Sequence, residues 1–141
     1  MATFRDRDIK HLSPEMQVLA ARFLLECRKR GVDVLIYHTH RTAAEQAEAW
    51  AQGRTKPGRK ITWTRTSKHQ RNDPITGVPA SDAFDCVPRI NGVPDWGAKR
   101  EYLIMGEVAK ELGLRWGGNW DGDDKPGEPG ENDSPHFELV R

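Results

Sequence analysis

The run LSPEMQVLAARFLLECRKRGVDVLIYHT, residues 12–39, sets a helix signal directly against a strand signal, with Gly31 between them. Ser13 is suited to cap a helix, Pro14 to occupy its first position, and Leu12 to staple back onto it. Val18, Ala21, Phe23, Leu24 and Cys27 then recur at helical spacing, and Gly31 provides the stop. Residues 32–39 are rich in β-branched and aromatic side chains, which predicts a strand buried on at least one face.

Working outward, residues 42–52 predict a second helix. Thr42 and Glu45 form a capping-box pattern, Ala43, Ala47 and Trp50 supply an apolar stripe, and Gly53 closes it. A short strand is expected at 61–64, a loop at 72–79 where two prolines and a glycine fall together, and a strand at 83–87. Residues 99–112 predict a third helix through Tyr102, Leu103, Met105, Val108, Ala109 and Leu112, stopped by Gly113, and 136–140 a last strand. No internal repeat is present. Helix, strand, helix, strands, helix, strand is an α+β order: a single small domain whose small, largely antiparallel sheet packs against about three helices.

Composition narrows the function classes. The chain has 141 residues, room for one hydrophobic core, and 22 Lys+Arg against 21 Asp+Glu leave a net charge of +1. Net charge alone therefore does not mark a polyanion-binding tail. Apolar residues at 36% make it polar for a globular chain, yet five Trp argue for a packed core rather than disorder. No run approaches the roughly 18 apolar residues of a membrane span. No apolar stretch follows the charges of MATFRDRDIKHLSPEM, so no secretory signal peptide is expected. Two cysteines, Cys27 and Cys86, exclude a disulfide framework and a Cys-only zinc site, and suit a reducing cytoplasm.

The local charge is uneven. Residues 54–71 hold seven Lys and Arg and no acid, whereas residues 121–133 hold six acids. A nucleic-acid-binding module using 54–71 is one reading, opposed by the acidic loop and by Trp63 being the segment's lone aromatic. A basic rim drawn to an anionic surface is another, and two solvated loops the plainest. The acidic loop offers carboxylates for a calcium ion but lacks EF-hand spacing.

Chemistry concentrates at two of the five histidines. His69 lies in TSKHQ at the end of the basic segment, and His136 lies in DSPHFEL with Asp133 three residues before it. Between them, Asp82 and Asp85 straddle the start of an apolar strand, where an acid must be solvated, paired or bound to a cation. Two imidazoles and one carboxylate, with a fourth position for water, make a catalytic zinc arrangement. A further carboxylate is needed to move the water's proton, and Asp133 is placed for it. With no HExxH helix, spacing alone leaves the plain reading of each His, a surface or hydrogen-bonded residue, ahead.

SKHQ and SDAFDCVP, followed by WGGNW and DSPHFEL, resemble the VanY-like zinc peptidases, particularly the small phage endolysins that act as L-alanyl-D-glutamate peptidases. The resemblance runs from about Leu12 to Leu139. It implies His69 of Ser67-Lys68-His69 as the first zinc ligand and Asp85 of Ala83-Phe84-Asp85 as the second. Trp116-Gly117-Gly118 then precedes Asp133-Ser134-Pro135-His136, giving Asp133 as the catalytic carboxylate and His136 as the third ligand. HRTAAEQAEAWAQGRT resembles the family's arginine-bearing turn and helix, with Arg41 steadying the substrate carbonyl or oxyanion.

One spacing departs from the family. In many members the first two ligands are seven residues apart; here 85 − 69 = 16, so residues 70–80 are read as an inserted loop. Asp82 in Ala80-Ser81-Asp82 is the rival ligand and Asp73 a weaker third; Asp85 is preferred because its strand aims the carboxylate rigidly. Ser67 is expected to hydrogen-bond beside His69, and Cys86 to be a buried small hydrophobe. Glu138 either orients His136 or forms a strand-face salt bridge. Trp116 and Trp120 are core or rim packing, and neither His38 nor His40 is a ligand.

The resemblance implies one peptidase domain over residues 1–141 with no separate wall-binding domain. It implies one Zn2+ and hydrolysis of the L-alanyl-D-glutamate bond of peptidoglycan stem peptides. It further implies a lysin that waits in the host cytoplasm, is released with a holin's help and then acts on the wall; for so small a hydrolase a monomer is the default expectation. The alternative within the family is a D-alanyl-D-alanine carboxypeptidase or dipeptidase.

Overall fold

In the computed structural model, which describes residues 6–58, 67–120, 126–127 and 133–140, Ser13 Oγ accepts from the Met16 amide and Pro14 opens α1 (Pro14–Lys29). The helix buries Met16, Ala20, Phe23 and Cys27, while Val18 is 60% exposed. The expected face through Val18 and Ala21 is therefore rotated away: Val18 lies about 200° round the helix from Met16. Leu12 is buried beneath the helix start.

After Gly31 the chain forms β1 (Asp33–His38), which pairs antiparallel with β2 (Ala83–Ile90) in the register Ile36↔Cys86 and His38↔Asp85. The ladder is irregular at Tyr37 between those two pairs. β2 turns through Asn91 and Gly92, both at positive φ (53° and 79°), into β3 (Val93–Pro94). Two successive positive-φ residues fit a two-residue hairpin turn, which Asn-Gly favours. β2 also pairs with β5 (His136–Leu139), and β5 with β4 (Leu114–Trp116). The sheet runs β1-β2-β5-β4 with β3 appended to β2, every strand pair antiparallel, as the α+β order predicts.

One face of this sheet carries the core. Phe23 of α1 packs on Phe84 and Phe137 at ring separations of 5.5 and 4.9 Å. α3 (Lys99–Glu111) adds Tyr102, Met105, Val108 and Ala109, while Leu103 stays exposed. α2 (Ala43–Ala51) has the predicted capping box, with Thr42 Oγ1 accepting from the Glu45 amide and Glu45 Oε1 from the Thr42 amide. Its expected apolar stripe is absent: Ala43 and Ala47 face solvent, and the buried residue is Gln46. Trp50 is covered by the Arg54 guanidinium at 3.6 Å.

Residues 72–79 form the predicted loop, closed by a bridge between Asn72 and Pro79. The expected strand at 61–64 and most of the acidic loop lie outside the described residues. Among the described residues no helix is long and apolar enough to cross a membrane.

Candidate metal and catalytic site

His69 sits on a 3-10 turn (Lys68–Gln70) that Ser67 caps, its hydroxyl accepting from the His69 amide at 3.2 Å. The imidazole is buried, and its Nδ1 donates to the Thr39 carbonyl at 2.7 Å at the end of β1. That bond turns Nε2 toward Asp85, 3.2 Å from Oδ1. Asp85 and His136 face each other across the β2–β5 ladder, so sheet register brings the second imidazole in. His136 Nε2 donates to Glu138 at 2.8 Å, leaving Nδ1 3.4 Å from the same Asp85 oxygen. One ligand atom each of His69, Asp85 and His136 falls within a 4.8 Å span.

The donor chemistry fits a metal of zinc's kind. Each histidine commits its outer N–H to a fixed acceptor, which sets the tautomer and aims the other nitrogen inward. Two inward nitrogens against one carboxylate oxygen are satisfied by a shared cation, and a mixed N/O set suits zinc better than calcium. Glu138 fills both roles expected of it. Besides holding His136, its second oxygen lies 3.2 Å from Lys68 Nζ and 3.7 Å from Arg115.

Charge in the cluster follows this geometry. Burial works against the Asp85 carboxylate, but His69 and His136 outweigh it and hold the group well below the usual carboxylate range. His136 is pushed up to about 10: burial opposes its charge, and hydrogen bonds to Asp85 and Glu138 prevail. Asp133, unlike Asp85, is raised, first by burial of its carboxyl and then by the neighbouring Asp85 charge, with His136, His69 and Arg41 opposing. As a residue it keeps solvent access, which moderates that shift.

Asp133 is set by the Trp-Gly-Gly stretch. Its amide donates to the Gly117 carbonyl at 3.2 Å, and its carbonyl accepts from His136. A side chain at Gly117 would place a Cβ 2.2 Å from the Asp133 carbonyl oxygen. Trp116 Nε1 donates to the Ser134 carbonyl at 2.7 Å, and its ring fits against Gly106 and Gly118, each leaving no room for a Cβ. Trp120 stands over His136 at 5.4 Å.

A family model described as phage L-alanyl-D-glutamate peptidase matches residues 3–140. The chain belongs to this family. Over 120 residues it is 30% identical to the peptidoglycan L-alanyl-D-glutamate endopeptidase CwlK of Bacillus subtilis, a match spanning 79% of this chain and 63% of that protein. Over 106 residues it is 35% identical to the L-alanyl-D-glutamate peptidase of Listeria phage A118, spanning 73% of this chain and 32% of that one. The chain thus spans less than two thirds of the length of either relative. Its fold resembles the crystal structure of Serratia marcescens L-Ala D-Glu endopeptidase ChiX with a TM-score of 0.59 at 22% identity, over 97% of this chain and 89% of that one.

Within this phage-peptidase family member, the remaining site residues sort by contact. Arg41 donates to Gln46 Oε1 at 2.6 Å and to His38 Nδ1 at 3.2 Å, and its Nη2 lies 3.8 Å from Asp85. Asp82 is engaged elsewhere: its carboxylate is buried and 3.4 Å from Arg71. Asp73 is also outside the cluster, its carboxylate accepting the Ile75 and Thr76 amides. His38 packs on the His69 ring at 5.4 Å, and His40 donates to Asn72. Cys86 is buried in the core, its thiol pushed well up by burial. Gln46 is a residue the sequence reading passed over; a lone amide on an alanine-rich helix, five positions after Arg41, is its signal.

Proposed function

We propose that this chain is a zinc-dependent peptidoglycan peptidase of the phage endolysin kind, hydrolysing the L-alanyl-D-glutamate bond of stem peptides. The observation that carries the reading is the convergence of His69, Asp85 and His136 within 4.8 Å, with Arg41 at its edge. The curated relatives, one of them from a phage, have this bond in their names.

His69 Nε2, His136 Nδ1 and Asp85 would hold the ion. Bound there, zinc would supply Lewis acidity toward the carbonyl and acidify a water. Thr39 and Glu138 keep both imidazoles in the tautomer that presents a lone pair inward. Asp133 accepts the proton of the attacking water and passes it to the departing glutamyl amine; its raised pKa suits a group that must hold a proton between those steps. Arg41, steadied by Gln46, donates hydrogen bonds to the developing oxyanion. The protein acts as a monomer, reaching the wall from the host cytoplasm after holin-assisted release.

Digestion of purified sacculi, with new termini identified by mass spectrometry, tests the reading. Free L-Ala carboxyl and D-Glu amino ends are expected; release of terminal D-Ala alone would replace the reading with a D,D-carboxypeptidase. Asp133→Ala is expected to keep the ion while turnover falls by roughly a hundredfold or more. Lysis at the wild-type rate by that variant would remove Asp133 from the mechanism.

A further inference from the structure

Three hydrogen bonds close a ring behind the metal cluster. The Asp82 amide donates to the Lys68 carbonyl at 3.0 Å, and the Leu139 amide donates to the Asp82 carbonyl at 2.7 Å. Lys68 Nζ completes the ring by donating to the Leu139 carbonyl at 2.5 Å. Lys68 precedes His69 on its 3-10 turn, Asp82 leads into β2 with Asp85, and Leu139 ends β5, which begins at His136. The ring therefore ties together the three segments that carry the cluster. Two of its sides are main-chain bonds; the third belongs to one side chain, which none of the steps above uses.

The segment that needs the tie is the His69 turn. Asp85 and His136 are set by the β2–β5 ladder, whereas His69 rides on three residues that pair with no strand. A 3-10 turn this short has poor hydrogen-bond geometry of its own, so outside contacts must place it. The His69 bonds to Thr39 and to the Arg41 amide run toward the end of β1. Lys68 supplies the bond to β5. Its ammonium also lies 3.2 Å from Glu138 Oε2, while Glu138 Oε1 accepts from His136. Held at both oxygens, the carboxylate cannot swing, and the imidazole it orients keeps its angle. Arg115 stands 3.7 Å from the same Oε2, but it comes from β4, which bears none of the three residues.

Resting on the metal reading of the site, we propose that Lys68 is a positioning residue for the ion. It sets the spacing of His69 and His136, whose rings lie 5.1 Å apart, by bracing the turn of one against the strand and carboxylate partner of the other. Its side chain is 35% exposed, and Arg115 still faces Glu138 when it is removed. The loss therefore falls on metal affinity rather than on folding.

Zinc dissociation constants from competition with a chromophoric chelator, beside thermal melts of the metal-free protein, test the assignment. Lys68→Met is expected to bind zinc about tenfold more weakly, the lower end of what the partners of metal ligands contribute. Its metal-free melting temperature should fall by no more than about 4 °C. Lys68→Arg should recover most of the affinity. Arg115→Met, which takes a charge from Glu138 without touching the ring, should bind zinc as the wild type does. Unchanged zinc affinity in Lys68→Met, an equal loss in Arg115→Met, or no recovery by Lys68→Arg overturns this proposal alone. So does a Lys68→Met chain that fails to fold or melts far lower, which would make the residue a structural one. A wild type that binds no zinc overturns the metal reading and this proposal with it.

Discussion

His136 stands between two carboxylates, whose hydrogen bonds outweigh burial and push its pKa up to about 10. Its stabilising contribution is complete below the ordinary histidine value of 6.5 and is lost as pH rises through about 10. Asp85, held low, contributes above its ordinary 3.8 and ceases to do so as pH falls through its depressed value. An entering metal must displace the His136 proton. Its affinity should then rise about tenfold per pH unit between 6.5 and 8.5, as read by zinc competition titration; a flat profile there would contradict the protonated state. The neighbouring aspartates separate at this scale too. Asp85→Ala should lose the ion. Asp82→Ala should keep full metal stoichiometry and cost about 1 kcal/mol, because Arg71 keeps solvent contact and its bond to the Ala80 carbonyl. Metal content and chemical denaturation of the two variants check both statements.

At the scale of elements, Gly117 and Gly118, directly after β4, sit in contacts that leave no space for a Cβ. Gly117→Ala would drive its Cβ into the Asp133 carbonyl and so displace the carboxylate next to it. A shift of about 1 Å there should lower kcat on the order of a hundredfold. Gly113→Ala is the control: nothing lies within 4 Å of its Cβ, and its φ of +76° exacts about 1 kcal/mol of stability with kcat unchanged. Comparable kcat in the two variants would dismiss the steric account. Elements also show which signals are local. The caps at Ser13 and Thr42 were legible because donor and acceptor lie within three residues of each other. The buried face of α1 was not, since Val18, Leu19, Leu24 and Leu25 surround that helix with apolar side chains and only the sheet chooses among them. Asn91-Gly92 marks the β2–β3 turn, but with a two-residue return strand no alternation follows to announce it.

Taken as a whole molecule, the site is assembled by topology. His69, Asp85 and His136 are separated by 16 and 51 positions, and nothing periodic links them. Each was singled out through its motif; their meeting depends on the β1-β2-β5 register and on the Thr39 contact that anchors the 3-10 turn. The preference for Asp85 over Asp82 rests on strand placement together with the family resemblance, and the two carboxylates engage different partners. Arg41's contact with Gln46 had only one cue behind it, a single amide on an alanine-rich helix, because a polar residue buried by tertiary packing otherwise looks like any solvated one in sequence. Because the proposed ligands His69, Asp85 and His136 come from three parts of the fold, zinc at a thousandfold excess over its Kd should stabilise the whole chain by roughly 4 kcal/mol. That corresponds to about 10–15 °C in Tm for a domain of this size. Asp85→Ala should show no such shift in a thermal melt.

The pairing of Asp85 with His136 across β2 and β5 ties two fates together. Slipping β5 by a single residue would send the imidazole to the opposite face of the sheet and swing Phe137 out from between Phe23 and Phe84. A change that loosens this ladder therefore surrenders the cluster and the packing beneath it at one stroke.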